Sequence, residues 1–204
     1  MTYTLYGYHA SDNCYKIKLL LNQLEIPFHY KEVDIVKGES RTEEFLPQVN
    51  PVGCIPVLAI SSTATLTESN AILIYLAEDT PFLPKEKFKR AQVFQWLFFE
   101  QYKHEPNIAT LRFWQKCLNR KKTDKQWKDK MEEKFTNGEE ALRIMNDHLM
   151  NNAYFVGNSY TIADICLYAY THKAHEAGFN LNSYPHILQW FKRIEKQDNY
   201  VKFE

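Results

Sequence analysis

The sequence predicts an α/β domain joined to an all-α helical bundle, and three observations carry this. Residues 1–79 alternate short strand-like runs with apolar stripes of helical period. Pro81 and Pro84 then break the pattern, and every later apolar segment repeats at helical spacing. The 204 residues suffice for two small domains, each with its own core. We place a first domain at 1–79, a linker at 80–87 and an all-helical domain at 88–204.

Residues 3–6 read as the opening strand. Ile17, Leu20, Leu21 and Leu24 recur at i, i+3, i+4 and i+7, the stripe of a helix packed on a sheet. Residues 28–33 are a second strand, and Ser40-Arg41-Thr42-Glu43 has the capping-box form for a short helix carrying Phe45 and Leu46. Residues 57–60 and 64–67, split by Ser61-Ser62-Thr63, predict a hairpin leading into a third helix at 69–78. In the second half, an aromatic-rich helix at 87–105 is expected to end at Pro106. A polar stretch at 119–125 precedes a long helix. There Met131, Phe135, Gly138, Leu142, Met145 and Leu149 keep a bundle seam. Thr161 and Asp164 form a box-like pair at the start of a buried helix, and residues 185–196 make the last one.

Lys plus Arg equals Asp plus Glu at 25 each, so no overall field attracts nucleic acid or an anionic membrane. The 45% hydrophobic content, with 13 Tyr and 13 Phe, argues for packed domains and against disorder. The chain has neither a basic-then-apolar leader nor an apolar run long enough to span a bilayer, which predicts a cytoplasmic protein. Cys14, Cys54, Cys117 and Cys166 form no Cys-x-x-Cys pair and no metal-ligand spacing, so reduced thiols and no metal are expected.

The most informative segment is Asn50-Pro51-Val52-Gly53-Cys54-Ile55-Pro56-Val57-Leu58, followed by Leu66-Thr67-Glu68-Ser69-Asn70-Ala71-Ile72. A proline can open a strand without losing a ladder bond, and a cis bond before it would turn the Ile55 backbone outward, where another backbone can pair. Glu68, Ser69 and Asn70 begin a helix, whose first N–H groups favour a carboxylate, and Glu68 can take an ammonium. Together these suit a small zwitterionic peptide.

That arrangement resembles the thioredoxin-like domain of the glutathione transferases, and the likeness runs through nearly the whole chain to Thr161-Ile162-Ala163-Asp164. The resemblance implies a thioredoxin-like, glutathione-binding domain followed by a helical bundle. It also implies that Ile55 and Pro56 pair with the cysteinyl backbone of glutathione, and that Glu68 and Ser69 hold its γ-glutamyl end. The serine-type members, theta/delta-like or nu-like and bacterial, are the nearest in pattern.

The loop His9-Ala10-Ser11-Asp12-Asn13-Cys14 reaches the N-terminus of the first helix. A hydroxyl there can donate to a bound thiolate. Taking a thiol from about 8.5 toward neutrality needs about 2 kcal/mol, within reach of one charge-assisted bond and a helix terminus. In the serine-type enzymes the first Ser of the Ser-x-x-Cys loop has this role, which makes Ser11 the catalytic candidate and Asn13 its helper. The bland alternative is that Ser11 only caps the helix. Cys14, at the same terminus, is either a reactive thiol or a packed one, and its place one turn in favours packing.

Family members often carry Lys, Arg or His in the two positions before the apolar-Pro step, where a cation meets the glycine carboxylate of glutathione. This chain has Gly53 and Cys54, and Lys37 and Arg41 are the candidate substitutes. Cys54 itself is either a neutral loop residue or a second thiol near the peptide. A hydrophobic co-substrate is expected between the domains, and Tyr102, His104 and Arg112 are the polar residues assigned to that cleft. The resulting expectation is a homodimeric detoxification enzyme that activates glutathione, its co-substrate, against a small hydrophobic electrophile. Two alternatives stay open: a glutathione-dependent disulfide or peroxide reductase, and a non-catalytic binding module with this fold.

Overall fold

The computed structural model describes residues 2–121 and 123–203; Met1, Glu204 and Lys122, the last within the polar 119–125 stretch, lie outside the described residues. The chain divides into two units, residues 1–80 with 197–204, and residues 81–196.

The first unit is built on a four-stranded sheet of order β2-β1-β3-β4. β1 (Tyr3–Gly7) runs parallel to β2 (Phe28–Glu32), and α1 (Asp12–Gln23) makes the crossover a parallel pair requires. α2 (Phe45–Gln48) follows, then β3 (Val57–Ala59) and β4 (Thr65–Thr67), an antiparallel hairpin, and α3 (Ser69–Ala77). This is the thioredoxin-like order. The predicted stripe of α1 is buried at Ile17, Leu20 and Leu21, as are Leu5 of β1, Leu58 of β3 and Ile72 and Leu73 of α3.

Two expectations for this unit need correction. Ser40 does not cap a helix: it is buried in a 3-10 turn, Glu39–Arg41, and α2 begins only at Phe45. That start brings Thr42 within reach instead, and its Oγ1 accepts from Phe45 N at 3.1 Å. Residues 197–204, assigned to the helical domain from sequence, pack on the first unit. The Tyr15 hydroxyl donates to the Val201 carbonyl at 2.7 Å, and the Tyr15 and Phe203 rings meet edge to face at 5.3 Å. These polar and aromatic contacts follow from the fold of α1, which no local pattern in the tail reveals.

The second unit is all helical: α4 (Lys87–Phe99), α5 (Glu105–Lys116), α6 (Lys128–Leu149), α7 (Ile162–Thr171) and α8 (Pro185–Ile194). Pro106 does not stop the first of these, as the sequence led us to expect. A π-helical segment, Glu100–His104, joins α4 to α5, and Glu105 N donates across five residues to Glu100 O. The wider turn resets the ladder so that Pro106 falls in the first turn of α5, where a missing N–H costs little.

α6 buries Met131, Gly138, Leu142, Met145 and Leu149 along the predicted seam. The Thr161–Asp164 capping box is present at α7. Asp164 also accepts from Trp190 Nε1 at 2.9 Å and Phe155 N at 3.1 Å, tying α8 and the preceding loop to one buried carboxylate. No helix among the described residues is long and apolar enough to cross a membrane.

Candidate active site

Strand register decides what meets at the end of the sheet. Tyr6 of β1 lies opposite Val57 of β3, and Val57 lies opposite Thr67 of β4. The loop leaving β1, the turn entering β3 and the start of α3 therefore gather at one end, bringing Ser11, Asn13, Ile55, Pro56, Glu68 and Ser69 to a common edge.

Ser11 is the N-cap of α1 in extended conformation, and its Oγ accepts from Cys14 N at 3.4 Å. The cap uses a lone pair and leaves the hydroxyl proton unspent in that bond. Cys14 lies behind it, buried, with Tyr8 N donating to its Sγ at 3.4 Å. Burial pushes the Cys14 thiol up to about 11, against smaller opposing bonds from Ser11 and Tyr8, so it is protonated at neutral pH.

At the start of α3 the Ser69 hydroxyl donates to Asn13 Oδ1 at 3.0 Å, linking the two helix starts. Lys16 Nζ donates to the same Ser69 oxygen at 3.3 Å from a fully buried position. Glu68 is exposed and held at φ 66°, ψ 111°, and it makes no side-chain cap. A non-glycine residue in that region costs about 1–3 kcal/mol, strain of the sort that gathers at ligand clamps.

The Ile55–Pro56 bond is cis. Ile55 packs on the cluster of Val33, Phe45 and Val57. The turn before it is stapled by buried Asn50, whose Nδ2 donates to Cys54 O at 2.8 Å and whose Oδ1 accepts from Val52 N at 3.0 Å. Arg41 Nη1 donates to Val52 O at 2.8 Å. Gly53 at φ 68° leaves room for it, because a Cβ there would lie 2.7 Å from that nitrogen. Cys54 is exposed. Lys37, the other candidate cation, pairs with Asp34 at 3.1 Å.

Of the residues assigned to a co-substrate cleft, Tyr102 is 83% exposed. Arg112 Nε donates to Glu176 Oε2 at 2.8 Å on a largely buried side chain. His104 is fully buried and shares a 2.8 Å hydrogen bond with Thr171 Oγ1. A group enclosed in this way belongs to the core of the helical unit and not to an open face, which corrects the expectation for His104. The π segment turns it inward.

Residues 5–85 match the family model described as "Glutathione S-transferase, N-terminal domain", and residues 95–198 the one described as "Glutathione S-transferase, C-terminal domain". The chain belongs to the glutathione S-transferase family. A glutathione S-transferase crystal structure from Pseudomonas fluorescens Pf-5 is 45% identical with a TM-score of 0.94, over 100% of this chain and 99% of that one. A glutathione transferase homolog from Drosophila mojavensis, solved with bound glutathione, is 28% identical with a TM-score of 0.84, over 97% and 89% of the two chains. The Escherichia coli K12 protein named "Disulfide-bond oxidoreductase YfcG" is 29% identical over 200 residues, 91% of this chain and 86% of its own.

Sequence reasoning missed two polar residues that organise this glutathione S-transferase edge, Lys16 and Asn50. Lys16 stands one turn before Leu20, inside the stripe that also holds Ile17 and Leu21, so its burial was signalled by spacing. Asn50 gave a weaker signal, an amide preceding a Pro-Val-Gly turn.

Proposed function

We propose that this chain is a serine-type glutathione transferase in which the Ser11 hydroxyl donates to the thiolate of bound glutathione. The observation that carries this reading is the arrangement at the start of α1: Ser11 at the N-cap with its proton unspent in the cap, and the rival thiol of Cys14 buried and protonated behind it. The helix terminus contributes roughly 0.3–1 kcal/mol to an anion, and one hydrogen bond to a charged group about 1.5–3 kcal/mol. Their sum covers the roughly 2 kcal/mol needed to bring the thiol near neutrality.

The other residues hold the peptide. The Ile55 backbone, beside Pro56, pairs with the cysteinyl unit; Ser69 takes the γ-glutamyl carboxylate and Glu68 its ammonium; Asn13 supports Ser69; and Arg41 meets the glycine carboxylate in place of a cation at Cys54. Binding orients the thiolate toward a hydrophobic electrophile, and attack forms a carbon–sulfur bond as the electron pair leaves with the bond that breaks at that carbon, to a halide, to an epoxide oxygen or into a conjugated carbonyl. We extend the proposal to a cytoplasmic homodimer.

The Escherichia coli relative's name favours a second reading. The bound thiolate would then attack a disulfide, releasing one thiol, and a second glutathione would resolve the mixed disulfide to glutathione disulfide and the other thiol. Calorimetry with glutathione, S-hexylglutathione and glutathione disulfide, paired with an aryl-halide conjugation assay, tests both. Thioether preference with conjugation supports the transferase, disulfide preference without conjugation the reductase, and no binding a non-catalytic module.

A further inference from the structure

A lysine ammonium enclosed in a protein is expensive unless its protons find acceptors. Lys16 is fully buried on α1, which packs against α3, and the buried apolar residues of the two helices include Ile17, Leu20, Ile72 and Leu73. Asp12, also buried, stands four residues earlier, the spacing that sets an acid over a base along one helix face. The Lys16 side chain also reaches the first residue of α3, where Nζ donates to Ser69 Oγ at 3.3 Å.

The direction of that bond matters. An ammonium has only donors, whereas a serine hydroxyl has one proton and two lone pairs. With a lone pair filled from the buried side, the Ser69 proton must go elsewhere, and here it goes to Asn13 Oδ1 at 3.0 Å. An ionised carboxylate accepts more strongly than an amide oxygen. A carboxylate arriving at the start of α3 can therefore take the proton from Asn13, releasing Oδ1 to accept from a ligand ammonium or amide.

We propose that Lys16 is a positioning residue that makes Ser69 an obligate outward donor, and so gives the site its preference for a peptide whose amino-acid end carries a free carboxylate. This rests on the glutathione-binding reading above. Without Lys16 the Ser69 hydroxyl is free to turn and accept from the Asn13 amide, and the carboxylate then meets no fixed donor.

The test compares two peptides by calorimetry: glutathione, and 4-aminobutyryl-cysteinyl-glycine, which lacks only the γ-glutamyl carboxylate. In Lys16→Met, glutathione should weaken by about 10- to 30-fold while the analogue changes by no more than about twofold. Lys16→Arg, which keeps charge and donors, should hold the native preference within about threefold. A purely structural role would weaken both peptides alike. Equal losses in Lys16→Met, or native glutathione affinity in it, overturn the proposal. Should Lys16→Met fail to fold by circular dichroism, Lys16→Arg decides: a folded protein that has lost the carboxylate preference overturns it, and one that retains it supports it. A native protein that binds neither peptide removes the glutathione reading itself, and this proposal with it.

Discussion

Arg41 Nη1 donates to the Val52 carbonyl at 2.8 Å, and that bond fixes an exposed guanidinium beside the turn leading into Ile55. A guanidinium with one proton committed keeps others for a carboxylate. Arg41→Gln should weaken glutathione by about 1.5–3 kcal/mol and leave γ-glutamylcysteine, which lacks the glycine carboxylate, nearly unchanged. Adding Cys54→Lys to that variant should restore much of the loss. Calorimetry with both peptides reads this, and equal weakening of the two would mean that Arg41 only braces the turn.

Ser11→Ala separates capping from chemistry. Loss of the cap costs about 1 kcal/mol of stability, while loss of the hydroxyl should raise the thiol pKa of bound glutathione by about 1–2 units. Binding should survive, and the ultraviolet thiolate absorbance near neutral pH should disappear. Cys14→Ala should retain conjugation. An inactive Cys14→Ala beside an active Ser11→Ala would transfer the chemistry to the thiol.

The two thiols flanking the site should react very differently. Cys54 is exposed, whereas Cys14 is buried and pushed up to about 11 by that burial. Iodoacetamide at mildly alkaline pH should alkylate Cys54 in the native protein and reach Cys14 only on unfolding. Peptide mass spectrometry checks this. Native-state labelling of Cys14 at a rate matching Cys54 would contradict its enclosure.

The layout of the α/β unit and the cap of α7 were legible in the sequence, because each rests on local signals: the stripe of Ile17, Leu20 and Leu21, the hairpin at Ser61-Ser62-Thr63 and the Thr161–Asp164 pair. What escaped depends on distant partners. The tail at 197–204 joins the first unit through Tyr15, Val201 and Phe203, far apart in sequence. The π segment at Glu100–His104 carries the helix through Pro106 and turns His104 inward, and no periodicity rule anticipates that register change. Lys16 was hidden for a different reason. Its charge argued for solvent, while its spacing argued for the core, and the Ser69 oxygen let the spacing prevail.

Gly138 is required by close approach in the bundle. A Cβ there would lie 2.5 Å from Phe179 Cζ and 3.3 Å from Ile108 Cγ1, and Phe179 is held in a stack on Phe135 at 4.7 Å. Alanine gains about 1 kcal/mol of helix propensity, but overpacking costs about 1–3 kcal/mol, and the upper half of that range applies where the ring cannot yield without breaking the stack, a net loss of about 1–2 kcal/mol. Gly138→Ala should lower Tm by about 2–8 °C. An unchanged or raised Tm in calorimetric unfolding would show that the seam has slack.

The acid limb of stability should carry a signature of His172. Burial lowers its pKa from 6.5 to about 4, with nearby Lys173 and Arg112 adding to the effect and a bond to the Tyr168 carbonyl partly opposing it. Between those values the unfolded chain binds a proton that the folded one refuses, so His172 makes stability rise with pH and fall as pH drops from 6.5 to 4. Asp164 acts in the opposite sense. Its carboxyl is raised by burial from 3.8 to about 6, so the folded state holds the proton, and stability falls as pH rises through that window. The two offset each other between about pH 4 and 6 in the native protein. His172→Phe keeps a ring for the stack on Tyr168, which stands at 4.8 Å, and removes one of the pair. Its stability relative to native should therefore improve by about 3 kcal/mol as pH falls from neutral to 4. Urea unfolding at pH 7 and pH 4 measures the difference. A gap between variant and native that does not change with pH would mean that His172 titrates in the folded protein as it does in the unfolded chain.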